Sequence, residues 1–235
     1  MNFLKEISKN IWIIDGDTVS WYGMPYTTRT TIVRLENGDI WVHSPGTIAD
    51  GLLAEMDQLG KVKHLVSPNK IHHLFMAQWI DIYPEALSYS SPGLSKKIPN
   101  IPFNKELQDY SEKDWKNEID QMIFKGSSAM EEVVFFHRSS KTLILTDLIE
   151  NFHPDHFSGF RKVIAKMTGI VSPNGKTPLD WRWSFIMGKK EARVCFEKML
   201  AWAPEKIVIA HGECIFKDAI SFLEGSFGWL KKSKT

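Results

Sequence analysis

The feature that most constrains the fold is a repeated order of segments: a β-hairpin pattern is followed by helical patterns in both halves of the chain. In the first half, residues 30–35 (TTIVRL) and 40–43 (IWVH) flank a Glu-Asn-Gly-Asp turn. In the second half, residues 132–137 (EVVFFH) and 142–146 (TLILT) flank residues 138–141 (RSSK). Two strand-rich halves with helices predict an α/β fold of four layers, in which two mixed sheets face each other and the helices lie outside.

The length and composition favour one domain. The chain has 235 residues, of which 43% are hydrophobic, and it contains no internal repeat or low-complexity segment. A chain of this size can bury one large core. We therefore expect a single domain that spans residues 1–235.

Charge, cysteine content and hydropathy exclude several classes of protein. The formal net charge is +1 and no stripe of lysine and arginine is present, so we expect no nucleic-acid partner. Cys195 and Cys214 are too few for a disulfide framework. No segment approaches the ~18 apolar residues of a membrane span, and the first ten residues lack the apolar core of a signal peptide. We expect a cytoplasmic protein with no membrane partner, whereas its oligomeric state stays open.

Polar residues that could act as ligands or catalytic groups follow directly after apolar strand patterns. They are His43, the pair His72 and His73, Asp147, and His211. The carboxyl ends of strands are where α/β folds gather ligands, so these side chains are candidates to converge on one site. Asp147 is the strongest candidate, because a carboxylate at the end of a buried strand needs a partner or solvent.

Other polar patterns favour structural roles. A histidine such as His43 after a strand is more often a hydrogen-bonded structural residue than a ligand. In residues 151–157 (NFHPDHF), Pro154 and a helix cap at Asp155 favour a capping turn over metal ligation by the two histidines His153 and His156, whose roles stay open. Residues 181–183 (WRW) alternate like a surface strand.

Three segments, RTTIVRLENGDIWVHSP, SPNKIHHLF and FFHRSSKTLILTDLIENF, resemble the DUF4336 family, a divergent branch of the metallo-β-lactamase fold. The resemblance covers the chain from about Ile11 to about Gly212, where the segment IVIAHGE matches the last histidine motif of that fold. It implies the four-layer αββα sandwich that the segment order predicts.

The resemblance also implies a metal site with one ion instead of two. Pro68 and Lys70 take the places of the first two histidines of the family loop, and Ser127 that of a later lone histidine, so the first metal site is lost. The second site would keep four ligands: His72, His73, Asp147 and His211. Such a set binds one divalent ion, zinc foremost, with iron or manganese as alternatives. We also infer that the Lys70 ammonium occupies the vacated first site beside Asp147.

These residues support three functions. The first is a mononuclear metal-dependent hydrolase of an ester, thioester, lactone or phosphoester, in which Asp147 holds the ion and Lys70 steadies the developing oxyanion. The second is a non-catalytic protein that binds a small molecule or partner and holds a structural metal or none. The third is an iron or manganese redox protein. The sequence does not identify the substrate, and metal content would separate the three.

Overall fold

The computed structural model of the chain describes residues 3–231. Within this range lie eleven strands and seven helices that carry the fold. The strands are β1 (Lys5–Ser8), β2 (Ile11–Trp21), β3 (Met24–Arg34), β4 (Asp39–His43), β5 (Lys61–Val66), β6 (Leu87–Ser90), β7 (Lys105–Glu106), β8 (Ile119–Phe124), β9 (Glu132–His137), β10 (Thr142–Ile144) and β11 (Lys206–Val208). The helices are α1 (Leu52–Leu59), α2 (Met76–Ile82), α3 (Leu94–Lys97), α4 (Gly159–Thr168), α5 (Leu179–Ser184), α6 (Lys189–Ala201) and α7 (Ala219–Ser226).

The strands form two mixed sheets. The first sheet runs β1 to β7 in chain order; its first four strands are antiparallel neighbours, and β4 to β7 are parallel. The second sheet has the order β11-β10-β9-β8, in which only β10 and β11 pair in parallel. The prediction of two mixed sheets is confirmed.

The sheets share a core because successive side chains of a strand point to opposite faces. On β4, Trp41 belongs to the inner cluster, where it joins Phe135 and Ile144 of the second sheet. Its neighbours Ile40 and Val42 belong to an outer cluster that also contains residues of α1 and α2. A third cluster joins α6 and α7 to the second sheet. The order of layers is helix, sheet, sheet, helix, as the sequence predicted.

Several elements differ from the sequence prediction. β2 and β3 form a much longer hairpin than residues 11–14 and 30–35 suggested, and β8 was not predicted. Residues 181–183 lie in helix α5 instead of a strand, because Trp181 and Phe185, four residues apart, both pack into the core beneath the second sheet. The residue that precedes α4 is Ser158 rather than Asp155.

Within residues 3–231, no helix is both long enough and apolar enough to cross a bilayer. The expectation of one domain over residues 1–235 includes termini outside the described range and stays a prediction.

Candidate metal centre

Three of the predicted ligands meet at the carboxyl ends of the strands. His72 lies in the loop after β5, Asp147 follows β10, and His211 follows β11. One ligand atom from each lies within 4.8 Å of the other two, and this is the only such group of histidine, cysteine and acidic residues within residues 3–231. All three side chains are at most 10% exposed. The sequence prediction that strand ends bring these residues together agrees with this geometry.

Asp147 is the centre of the group. Its Oδ2 lies 3.0 Å from His72 Nε2, and its Oδ1 lies 3.0 Å from His211 Nε2. Burial by itself would raise the pKa of Asp147, but the charge of His72 and the hydrogen bonds from both imidazoles outweigh it and hold the pKa well below its usual range. The carboxylate is therefore ionised and available as a ligand or as a partner for cations.

The outer nitrogen of each imidazole is also held. His211 Nδ1 lies 2.6 Å from the carbonyl oxygen of Thr27, which can only accept, so Nδ1 carries a proton and donates it. His72 Nδ1 lies 2.6 Å from Ser44 Oγ. This arrangement directs a basic Nε2 of His211 at the carboxylate, which is repulsive unless a proton or a metal ion lies between them.

The donor set fits a divalent ion. Two imidazole nitrogens and one carboxylate oxygen are ligands that zinc, iron and manganese share. Without an ion, His211 meets Asp147 as an imidazolium: burial lowers the pKa of His211, but Asp147 raises it further, and the net shift is upward. Three protein ligands leave a coordination position open, which is typical of catalytic zinc sites.

His73 does not join the group, although the family resemblance implied a fourth ligand there. Its carbonyl oxygen accepts the amide N–H of Met76 at the start of α2, and its ring lines the cavity above the centre. Burial and then the Lys97 ammonium lower the pKa of His73. Within residues 3–231 the converging ligand atoms therefore come from three residues, His72, Asp147 and His211.

The structure also corrects the predicted place of Lys70. The end of its side chain lies 3.3 Å from the point where a Cβ on Gly93 would stand, and within residues 3–231 the ion-pair partners of Asp147 are His72 and His211 alone. Lys70 does not line the cavity. The physical reason is that the preceding residue, Asn69, turns inward and fills the space beside Asp147.

Asn69 and Glu132 form a buried polar network that the sequence analysis did not find. Asn69 Nδ2 lies 2.6 Å from Asp147 Oδ2, 3.0 Å from Thr146 Oγ1 and 3.2 Å from Glu132 Oε2. Its Oδ1 accepts the amide N–H groups of Ile71 and His72. A neutral amide therefore separates two carboxylates and fixes the histidine loop. The available sequence signal was the Asn-Lys-Ile-His order, since asparagine often bonds to the backbone two residues ahead.

Glu132 anchors the turn that carries Asp147. Its carboxylate oxygens accept the backbone N–H groups of Thr146, Asp147 and Leu148 at 2.8 to 3.1 Å, and the side chain is fully buried. Burial, followed by the charge of Asp147, raises the pKa of Glu132, whereas the N–H donors lower it. Glu132 is the first residue of a strand whose other residues are also buried. An acidic residue in such a strand was the available sequence signal for a buried polar anchor.

The other polar candidates lie outside the centre. His43 is buried and stacks on Trp41, and burial lowers its pKa to about 3. His156 Nε2 lies 2.8 Å from the carbonyl oxygen of Pro25, while His153 is exposed. Ser127, at the place of the lone family histidine, bonds to Ser184. Within residues 3–231, none of these side chains belongs to the group of His72, Asp147 and His211.

A cavity of about 650 Å³ opens above the candidate metal centre. Its walls are mainly apolar and aromatic, with contributions from Trp21, Tyr22, Phe75, Met130 and Trp181. This combination of an apolar cavity with a few converging polar groups is typical of small-molecule sites.

The floor carries an additional acid, Glu150. Its Oε2 accepts a hydrogen bond of 3.1 Å from the hydroxyl of Tyr26, whose ring packs edge-on against His211 with centroids 5.0 Å apart. Burial raises the pKa of Glu150 to about 8, with His211 opposing and Asp147 and Asp180 adding to the shift. The carboxyl is thus protonated at neutral pH in the metal-free protein.

This shift predicts how stability depends on pH. A carboxyl whose pKa rises from 4.5 to about 8 on folding binds more protons in the folded state, so its contribution is lost as pH rises through that window. Glu150→Gln keeps an acceptor for Tyr26. We expect similar stability to the parent at pH 5 and, at pH 9, a gain of roughly 2 to 4 kcal/mol. Urea denaturation of chelator-treated protein measures both values.

The control for this experiment is Glu224→Gln, because Glu224 is exposed on α7. Its effect should be the same at both pH values. An equal effect of Glu150→Gln at pH 5 and pH 9 would show that Glu150 is ionised in the folded protein.

A model of a known protein family matches most of the chain. The family model described as "Domain of unknown function (DUF4336)" matches residues 8–158, well over half of the sequence. The chain belongs to the DUF4336 family. No curated protein matches the sequence. The resemblance drawn from the three sequence segments is confirmed.

Solved structures show which fold this DUF4336 protein has. The metallo-β-lactamase DIM-1, exposed to ceftazidime, matches with a TM-score of 0.65 at 12% identity, over 97% of this chain and 95% of that chain. A metallo-β-lactamase from Pontibacter korlensis gives 0.65 at 12% identity, over 98% and 99%. FIM-1 from Pseudomonas aeruginosa, in a mono-zinc form, gives 0.63 at 9% identity, over 97% and 93%. At these identities the matches establish the metallo-β-lactamase fold and nothing finer.

Proposed function

We propose that this DUF4336 protein is a hydrolase that uses one divalent metal ion, zinc foremost. The observation that carries the proposal is the position of Asp147 between two histidine Nε2 atoms on the floor of an apolar cavity. The fixed Nδ1 partners of both histidines support it, since such outer contacts orient metal-ligating imidazoles. The mono-zinc form of FIM-1 belongs to a protein of the same fold.

The ion would supply Lewis acidity, which polarises a carbonyl or phosphoryl group and lowers the pKa of water towards ~7. The protein supplies the remaining functions. Asp147, His72 and His211 would hold the ion, and Ser44 and the Thr27 carbonyl keep both imidazoles oriented. The aromatic walls bind the apolar part of a substrate and exclude water. Lys70 has no part in this scheme.

The charges of the cavity narrow the substrate class. Asp147, Glu150 and Asp180 line it, and Lys97 is the only lysine or arginine among the lining residues, all within the described range. The Lys97 ammonium already donates to the carbonyl oxygen of Lys70. Because the walls are mainly apolar and Lys97 is the one lysine or arginine among the described residues that line them, the cavity favours a neutral ester, thioester or lactone with an apolar body over a doubly charged phosphoester.

The proposal also covers the type of ligand, the cellular compartment and two alternative functions. The ligand is a small molecule, because an apolar cavity does not match the basic surface of nucleic-acid proteins. We propose that the protein acts in the cytoplasm. A structural metal without catalysis is the second candidate, and iron or manganese redox chemistry is the third, because the three donors suit those ions too.

Metal retention tests the site. We expect about one zinc per chain after purification without added metal, by elemental mass spectrometry. Asp147→Asn and His211→Ala should each lose stoichiometric metal, because two remaining protein ligands bind zinc weakly. Ser44→Ala should lower zinc affinity by about 10- to 100-fold, since it removes the partner of His72 Nδ1.

The matched control is His153→Ala, which removes an exposed histidine that lies outside the metal group. It should retain metal like the parent. Hydrolysis of 4-nitrophenyl esters, a thioester, a lactone and a phosphoester then separates the candidates: loss with a chelator and return with zinc support the hydrolase. Stoichiometric metal without hydrolysis favours the structural role, stoichiometric iron or manganese favours redox chemistry, and absence of metal contradicts the site.

A further inference from the structure

Helix α4 is amphipathic, but its apolar side faces solvent. Phe160, Val163 and Met167 stand at positions i, i+3 and i+7, so they share one face of the helix. They are 77%, 51% and 75% exposed. The helix is attached through Ala165, which is buried in a cluster with Phe152. An amphipathic helix normally covers its apolar stripe with the protein core, so this orientation leaves a surface without a partner in the described structure.

The exposed apolar surface continues beyond α4. Arg182 of α5 donates a hydrogen bond to the carbonyl oxygen of Thr168, at the end of α4, and this joins the two elements. Trp183, Ile186 and Met187 follow in the chain and are 64%, 63% and 94% exposed. We call the exposed and half-buried residues of 160–167 and 183–190 the apolar-basic face.

The charges on this face have one sign. Residues 159–168 and 182–190 contain no aspartate or glutamate. Five cationic residues lie on the face, namely Arg161, Lys162, Lys166, Lys189 and Lys190, whereas the guanidinium of Arg182 is bonded to the carbonyl oxygen of Thr168. Lys162 pairs with Asp155. The two ranges therefore carry a net positive charge, although the whole chain has a formal net charge of only +1.

We propose that the apolar-basic face docks on an anionic lipid surface. Protruding phenylalanine, tryptophan and methionine side chains flanked by lysine and arginine are typical of helices that lie in a membrane interface. Each basic residue near an anionic surface adds to the attraction. Charge disfavours a second copy of the chain as the occupant, because self-association would bring five cationic residues against five.

The contact is peripheral and requires no spanning helix. The sequence analysis expected no membrane partner because no segment has about 18 apolar residues. That reasoning excludes a spanning helix and does not exclude a peripheral contact. Helix α5 connects the face with the cavity, since Trp181 lines the cavity and Trp183 stands on the face. Docking would bring the cavity wall close to the lipid, whatever reaction the cavity supports.

Co-sedimentation of the full chain with vesicles tests the proposal. We expect binding to phosphatidylcholine vesicles that contain phosphatidylglycerol, little binding to phosphatidylcholine alone, and weaker binding at high salt. Phe160→Ser combined with Met167→Ser should lower binding by about tenfold or more. Arg161→Glu combined with Lys166→Glu should do the same, because each basic residue contributes roughly fivefold. All four positions are exposed, so the melting temperature should not change.

Matched controls lie outside the face. Tyr110→Ser removes an aromatic side chain that is 66% exposed, and Lys113→Glu reverses an exposed charge; both should bind vesicles like the parent. Absence of binding to anionic vesicles overturns the proposal and leaves the face to an acidic protein. Equal binding to both vesicle types, or full binding by the double variants, overturns it too. A dimer that Met167→Ser dissociates, without vesicle binding, would assign the face to a second copy.

Discussion

Glu132→Gln is expected to lower the free energy of unfolding by about 3 to 5 kcal/mol. Both carboxylate oxygens of Glu132 accept backbone N–H groups, from Thr146 on one side and from Asp147 and Leu148 on the other. An amide has only one acceptor oxygen, so in either orientation its NH₂ group would meet at least one buried N–H donor. The turn that carries Asp147 would then lose its anchor. Chemical denaturation at neutral pH measures the loss.

Glu131→Gln is the matched control, because it makes the same chemical change at the neighbouring, half-buried position. We expect it to change stability by less than about 0.5 kcal/mol. Metal retention of Glu132→Gln gives a second readout, since a displaced turn moves Asp147 away from the histidines. A variant of Glu132 with parental stability and parental metal content would mean that the backbone alone holds this turn.

Asn69→Asp is expected to cost a similar amount, about 3 to 5 kcal/mol, although it changes one atom. The substitution keeps Oδ1, which accepts the amide N–H groups of Ile71 and His72. It replaces the donor Nδ2 by an oxygen that faces the carboxylates of Asp147 and Glu132. Three buried carboxyl groups would then share a space from which the Nδ2 donor has been lost, and like charges in a buried site repel strongly.

Two controls make this prediction specific. Asn174→Asp adds the same charge in an exposed loop and should have an effect within about 0.5 kcal/mol. Lys70→Ala removes the cation that the sequence placed beside Asp147, and it should cost less than about 1 kcal/mol because Lys70 lies against Gly93. If Lys70→Ala proved the more damaging of the two loop substitutions, the sequence inference would be right and the network around Asn69 would be secondary.

The fold was largely predictable because it depends on patterns that repeat at short range. Alternating apolar residues around the 36–39 turn and around residues 138–141 identify two hairpins, and amphipathic segments identify the outer helices. The same patterns failed where the burial partner was distant. Residues 181–183 alternate like a strand, yet Trp181 and Phe185 pack together against the second sheet and make the segment helical.

In the candidate site, too, some features could be predicted from the sequence and others could not. The positions of His72, Asp147 and His211 after apolar strands could be read from the chain. Asp147 and His211 lie together because β10 and β11 are parallel neighbours, whereas His72 reaches them from the end of β5 in the facing sheet. The sequence could not predict which of His72 and His73 joins the group, because that depends on the conformation of the loop. The pair of Glu150 with Tyr26 joins residues 124 positions apart, and no local pattern indicates it.

By itself, the sequence determined the layers, the sheets and the strand ends at which polar residues gather, because hydrophobic period and turn chemistry act over a few residues. Only the tertiary structure decided that Asn69, rather than Lys70, lies beside Asp147, and that Glu132 holds the turn. Those choices follow from burial. Once the loop is enclosed, a neutral amide that donates to two carboxylates is cheaper to desolvate than an ammonium, and the longer, charged side chain turns outward.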